Sequence, residues 1–224
     1  LHRRYWLILS ILVPVLIVAG VVGVAVSQQT TREPASALTA QEARILRLKH
    51  SVADNPSDFD SRLRLGWTYQ QAKRYSEALE QYDIILKRRP RSMSTLYFRA
   101  LIYRDMGADI QSRDTLLRVL EIRKDHVLAA IALGQYYLAR GEYANLRKVV
   151  GPAVKLHPEA GELQYLMGRG LEGKNDFEGA RARYRKALKY APDLASARTR
   201  LRRLDQRSEA TGSHTDTSTA PQAR

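Results

Sequence analysis

No cysteine occurs anywhere in the 224 residues, so disulfide staples, thiolate nucleophiles and Cys-ligated zinc are excluded, while the redox compartment stays open. Histidine is sparse as well. His2, His50, His126, His157 and His214 are scattered, with no HExxH and no His/acid cluster at a spacing suited to a metal. A Walker lysine motif, a nucleophile elbow and a paired-carboxylate constellation are also missing. Gly168-Arg169-Gly170-Leu171-Glu172-Gly173 fits G-x-G-x-x-G on paper, yet Glu162 to Met167 continues a helical pattern into it and no strand precedes it. Its glycines read as a closely packed helix. These absences predict a protein that catalyses nothing, binds no metal and needs no cofactor.

Acidic residues are in deficit, 23 against 37 Lys and Arg, for a formal net charge of +14. Such an excess raises the question of nucleic acid, because a basic surface gains affinity by releasing counterions from phosphate. The bases, however, are spread over every helical segment. The one dense run, Arg198, Arg200, Arg202, Arg203 and Arg207, reads as a solvated face or one turned to an anionic surface, and no nucleic-acid partner is expected.

The single long apolar run is Leu7 to Val26, twenty residues without a charge, fourteen of them Leu, Ile or Val. As a helix at about 1.5 Å per residue it spans a bilayer core. Arg3 and Arg4 precede it and Tyr5 and Trp6 stand at an aromatic-belt position; only Arg32, beside Glu33, follows closely. The positive-inside rule then puts the N-terminus in the cytoplasm and the remainder outside, on the periplasmic side in a bacterium. Ala25-Val26-Ser27 has the small-x-small form of a cleavage site, but the apolar stretch exceeds the usual length of a cleaved signal, which favours a retained anchor. Ala19, Gly23 and Ser27, four apart, form a small-residue stripe on which another membrane helix can pack. A chain opening on Leu fits an alternative bacterial start codon read literally, or a fragment. Residues 28–39 form a polar linker with Pro34, and Thr39 with Glu42 is a capping box where helix resumes.

Pro56 and Pro90, and again Pro158 and Pro192, stand one interval of about 34 residues apart, with Lys124 in the vacant place midway between Pro90 and Pro158. Units of that length follow, at 57–90, 91–124, 125–158 and 159–192. Leu65-Gly66, Arg99-Ala100, Leu133-Gly134 and Met167-Gly168 repeat a large-then-small pair on the first helix of each. Ala78, Ser112, Leu146 and Ala180 open the second helices, with Tyr82, Leu116, Val150 and Tyr184 one turn on. Spacings of three and four put each set on one helical face. Residues 40–56 match a second helix alone, a half-repeat, and 193–207 an extra first helix; both are expected to cap the array. Pro152 is expected to kink or shorten the second helix of the third unit, and 208–224 to be disordered.

This pattern resembles the tetratricopeptide-repeat (TPR) family, in which a helix-turn-helix unit recurs with that same period. The resemblance implies an all-α superhelical solenoid whose first helices line a concave protein-binding groove. Carried over to this sequence, the groove positions are Leu63, Trp67 and Gln70 in the first unit and Tyr97, Leu101 and Arg104 in the second. Leu128, Ile131, Gln135 and Leu138 follow in the third, and Tyr165 and Arg169 in the fourth. At the family's first-helix tryptophan position stand Arg62, Leu96, Ala130 and Gln164, a departure from the pattern. The lysine and asparagine pattern with which some members clamp a C-terminal carboxylate is absent.

An anchor, a linker and such a solenoid together predict a membrane-tethered scaffold or assembly factor that holds helical or extended segments of envelope proteins or membrane-complex subunits. A permanent accessory subunit of a membrane complex is the alternative, and self-association remains open. The half-repeat ending in Asn55-Pro56 is also similar to the repeat arms of c-type cytochrome maturation proteins, which implies a narrower role in holding apocytochromes.

Overall fold

The computed structural model describes residues 39–212, with side chains through Ser208. The anchor, its Ala19/Gly23/Ser27 stripe, most of the linker and the end of the tail lie outside the described residues. Among the described residues there is no strand, and no helix is long and apolar enough to cross a membrane.

Among the described residues ten helices follow one another: α1 (Ala40–Asp54), α2 (Phe59–Gln71), α3 (Tyr75–Arg88), α4 (Met93–Asp105), α5 (Asp109–Ile122), α6 (Val127–Ala139), α7 (Tyr143–Leu156), α8 (Gly161–Glu172), α9 (Phe177–Tyr190) and α10 (Ala195–Gly212). The chain divides into two compact units, one ending at His50 and one beginning at Ser51, so that α1 runs across their boundary. In the first, α1 starts on a reciprocal cap: the Glu42 N–H donates to Thr39 Oγ1 at 3.2 Å and the Thr39 N–H to Glu42 Oε2 at 3.0 Å. The second holds α2 to α10, which pair as the hairpins α2/α3, α4/α5, α6/α7 and α8/α9, each packed on the next, with α10 against α9.

Each hairpin closes where a small residue admits a large one. A Cβ added to Gly66 would stand 2.4 Å from the Tyr82 ring, and one added to Gly168 2.5 Å from the Tyr184 ring. Both tyrosines are wholly buried. The two inner hairpins carry Ala100 with Leu116 and Gly134 with Val150 at the equivalent positions, a Cβ added to Gly134 standing 2.9 Å from Val150, and the apolar side chains there join one core running from α4 to α8. The G-x-G-x-x-G string is absorbed in this packing, Gly170 lying against Leu146 and Arg147 and Gly173 against the Tyr143 ring.

The turn between paired helices also repeats. Lys73, Gly107, Gly141 and Asn175, one period apart, all have left-handed backbone, with φ of 58°, 74°, 70° and 64°. The next residue's N–H reaches back to the carbonyl five residues earlier, as from Arg74 to Tyr69 at 2.9 Å and from Ala108 to Tyr103 at 2.8 Å. This hydrogen bond is the helix-terminating pattern that a left-handed residue permits.

Two expectations need correction. The shortening expected of α7 does not occur: it carries Pro152 inside it and has 14 residues, the same as α3, α5 and α9. Proline withholds a bond from the Lys148 carbonyl, while Val149, Val150, Ala153 and Val154 are buried and keep the helix packed along its length. Helix α10 also continues past Arg207 to Gly212, into the segment expected to lack structure.

Candidate protein-binding face

The first helices α2, α4, α6 and α8 carry the predicted groove residues as ladders with the period of the repeat. Leu63, Tyr97, Ile131 and Tyr165 form one rung set, and all four are half-buried. Trp67, Leu101, Gln135 and Arg169 form the second: Trp67, Leu101 and Arg169 are half-buried and Gln135 is exposed. In the third, Arg104 is exposed and Leu138 half-buried, but Gln70 is buried and accepts from the Tyr82 hydroxyl at 3.4 Å. Gln70 therefore ties α2 to α3 rather than offering itself to a partner. Leu128, at the start of α6, is 53% exposed, which is unusual for a leucine on a packed helix.

The polar members are already engaged. Gln135 Nε2 donates to Glu162 at 2.7 Å across to α8, and Arg104 donates to Asp105 at 3.1 Å. Between α4, α5 and α6 lies a cleft of about 250 Å³, lined by Leu101, Ala132, Tyr136 and Ala139 among others. Arg140 closes one side, its guanidinium 3.8 Å above the Tyr136 ring and 2.8 Å from Asp109. The geometry suits an apolar side chain with a cation at its rim.

At the far end the third ladder continues to Glu172, one period after Leu138, a position missed in reading the sequence although the repeat points to it. Glu172 is a hub. It accepts from the Tyr184 hydroxyl, pairs with Arg200 at 3.1 Å, and lies 3.7 Å from Arg169, which donates to the Tyr165 hydroxyl at 3.2 Å. Burial, and then the bond to Glu172, push the Tyr184 hydroxyl well above the ordinary phenol range. Arg200 thus turns inward, unlike the solvated or surface-facing run expected for α10, and Arg207 stacks 4.3 Å over the Phe177 ring.

Arg62 and Gln164, at the family's tryptophan position, are buried. Each donates to a proline carbonyl six residues back, Arg62 to Pro56 at 3.3 Å and Gln164 to Pro158 at 2.7 Å. Arg198, one period after Gln164, makes the same bond to Pro192. Among the described residues no group of three or more His, Cys, Asp or Glu is placed to hold a metal ion.

Known proteins agree with that geometry. Residues 63–109 match the tetratricopeptide repeat family model. No curated protein matches the sequence. Among solved structures, MamA from Desulfovibrio magneticus RS-1 is 17% identical with a TM-score of 0.60, over 71% of this chain and 90% of that one. YrrB, described as a TPR protein with an unusual peptide-binding site, is 15% identical with a TM-score of 0.61, over 72% and 84%. A thermophilic TPR protein from Thermus thermophilus is 20% identical with a TM-score of 0.52, over 75% and 92%. The fold is the TPR solenoid, and residues 63–109 carry the tetratricopeptide-repeat signature.

Proposed function

We propose that this chain is a non-catalytic scaffold that binds protein segments along the face formed by α2, α4, α6 and α8, and that residues 7–26 tether it to a membrane with the solenoid outside the cytoplasm. The supporting observation is the row of half-buried apolar and aromatic side chains, Leu63, Trp67, Tyr97, Leu101, Ile131 and Tyr165, repeated in register on successive first helices. Such a row offers a helical or extended segment apolar contacts at regular intervals. A peptide-binding protein with the same fold, YrrB, is consistent with it. The charge-free span and the arginines before it support the tether and its direction. An assembly factor or scaffold acting on envelope proteins is the favoured role. A permanent accessory subunit, seated through Ala19, Gly23 and Ser27, is the second reading, and holding apocytochromes a narrower form of the first.

A photo-reactive residue in place of Trp67 or Tyr97 in living cells, read by mass spectrometry, tests the binding face. Capture of a distinct protein supports it; capture of lipid alone, or of the chain itself, overturns it. A reporter active only outside the cytoplasm, fused after Arg224, tests the orientation, and silence reverses it. A stoichiometric partner surviving detergent extraction favours the subunit over the assembly factor.

A further inference from the structure

Arg169, Arg200 and Arg207 converge on a cleft of about 240 Å³ at the end of the array, shared with Tyr143, Phe177 and Glu172. Three guanidiniums thus line it with one carboxylate, and that carboxylate also takes the Tyr184 hydroxyl. A guanidinium carries five donors. Arg200 spends one on Glu172, and Arg207 lies with its face on the Phe177 ring, which fixes the plane of its guanidinium at the cleft. The surroundings reinforce the sign: from Phe177 to Ser208 the chain has ten Arg and Lys against Glu178, Asp193 and Asp205. Arg169 also stands in the second ladder of the binding face, and Glu172 in the third, so the cleft and that face share residues on α8.

We propose that this cleft is an anion site that takes the carboxylate of an aspartate or glutamate in the bound protein segment, and so fixes which end of that segment lies over α8. The inference rests on the reading of the chain as a protein-binding solenoid. Bidentate arginine recognition of a carboxylate supplies direction, which an apolar row alone does not. The cleft has room for a side chain of that size, and one incoming carboxylate offsets part of the excess charge.

The test uses the full chain in detergent and a fluorescent hexaglutamate peptide, with hexaglutamine and oligouridylate as comparison probes. Hexaglutamate is expected to bind and hexaglutamine not. R207Q and R200Q are each expected to weaken hexaglutamate binding by about tenfold, whereas R118Q, an exposed arginine on α5, changes it less than about twofold. Because R200Q also removes a partner of Glu172, R200K serves beside it: it keeps a cation next to Glu172 but not the guanidinium fork, and is expected to lose less than R200Q while still binding hexaglutamate more weakly than the unaltered chain. Equal losses in R118Q and R207Q would mean diffuse attraction to the net charge and overturn the site. Tighter, R207Q-sensitive binding of oligouridylate would assign the cleft to nucleic acid and overturn it too. Photo-capture from Tyr97 separates the two levels: capture with no R207Q effect sinks the anion site alone, and no capture sinks the underlying reading.

Discussion

Arg62 Nη1 donates to Gln81 Oε1 at 2.9 Å, and three periods later the same pair recurs with its members exchanged, Arg183 Nη1 donating to Gln164 Oε1 at 3.0 Å. The first and fourth hairpins thus lock with an arginine and a glutamine. The two between them place Leu96 with Thr115 and Ala130 with Val149 at those positions. Apolar closure is therefore available to the fold, and Arg62 leaves its Nε buried without a hydrogen bond. Replacing Gln81 alone by Ala is expected to cost about 2 kcal/mol, since it strands more of a buried cation. The double change Arg62→Leu with Gln81→Val is expected to be neutral or stabilising. Urea unfolding of both variants checks the pair; a double variant as weak as the single one would show that the polar lock itself stabilises the hairpin.

Lys73 occupies, with φ of 58°, a turn position that glycine fills at Gly107 and Gly141. A side chain there costs about 1 kcal/mol, part of which glycine returns as entropy of the unfolded chain. Lys73→Gly is expected to raise stability by up to about 1 kcal/mol, and Gly107→Ala to lower it by a similar amount. Thermal melts of the two should move in opposite directions.

Gly66 meets the Tyr82 ring so closely that Gly66→Ala is expected to lose about 2 kcal/mol or more. Adding Tyr82→Leu should recover part of it, since the second hairpin carries Ala100 and Leu116 at the equivalent buried positions. No recovery in the double variant would mean that the ring is needed for more than filling the seam.

His126 caps α6, its Nδ1 accepting the Ala129 N–H at 3.2 Å, with Asp125 and Arg123 beside it and the Tyr97 ring at 5.9 Å. Burial first, then the Arg123 charge, holds its pKa below the usual imidazole value of 6.5. A depressed folded-state value means that the unfolded chain binds the proton more readily. The contribution to stability is then present above the unfolded pKa and is lost as pH falls through the lower folded value. Protonation also destroys the cap acceptor. Between about pH 7.5 and about pH 5 the melting temperature should fall less in His126→Asn, which keeps a cap acceptor; equal falls would remove His126 as the cause.

Much of the fold was legible because its determinants are local and periodic. Gly66 and Tyr82 announce their contact through spacing, and the prolines mark the turns. The face was legible where apolar residues keep the period, as at Leu63, Tyr97 and Ile131. It was hidden where tertiary partners decide exposure: Gln70 reads as a surface amide but is claimed by the Tyr82 hydroxyl, and Arg200 reads as part of a solvated run but is claimed by Glu172. Pro152 read as shortening its helix because local cost was visible and the packing of Val149 and Val150 was not.

Binding along the first helices is tested most directly by two leucine-sized surface changes that leave the core alone. Leu128 on α6 and Ile110 on α5 are 53% and 60% exposed. In full-length chains extracted in detergent, Leu128→Asp should release the protein captured from Tyr97 while Ile110→Asp retains it. Retention by Leu128→Asp together with release by Ile110→Asp would place the partner on the second helices and contradict a groove on α2, α4, α6 and α8.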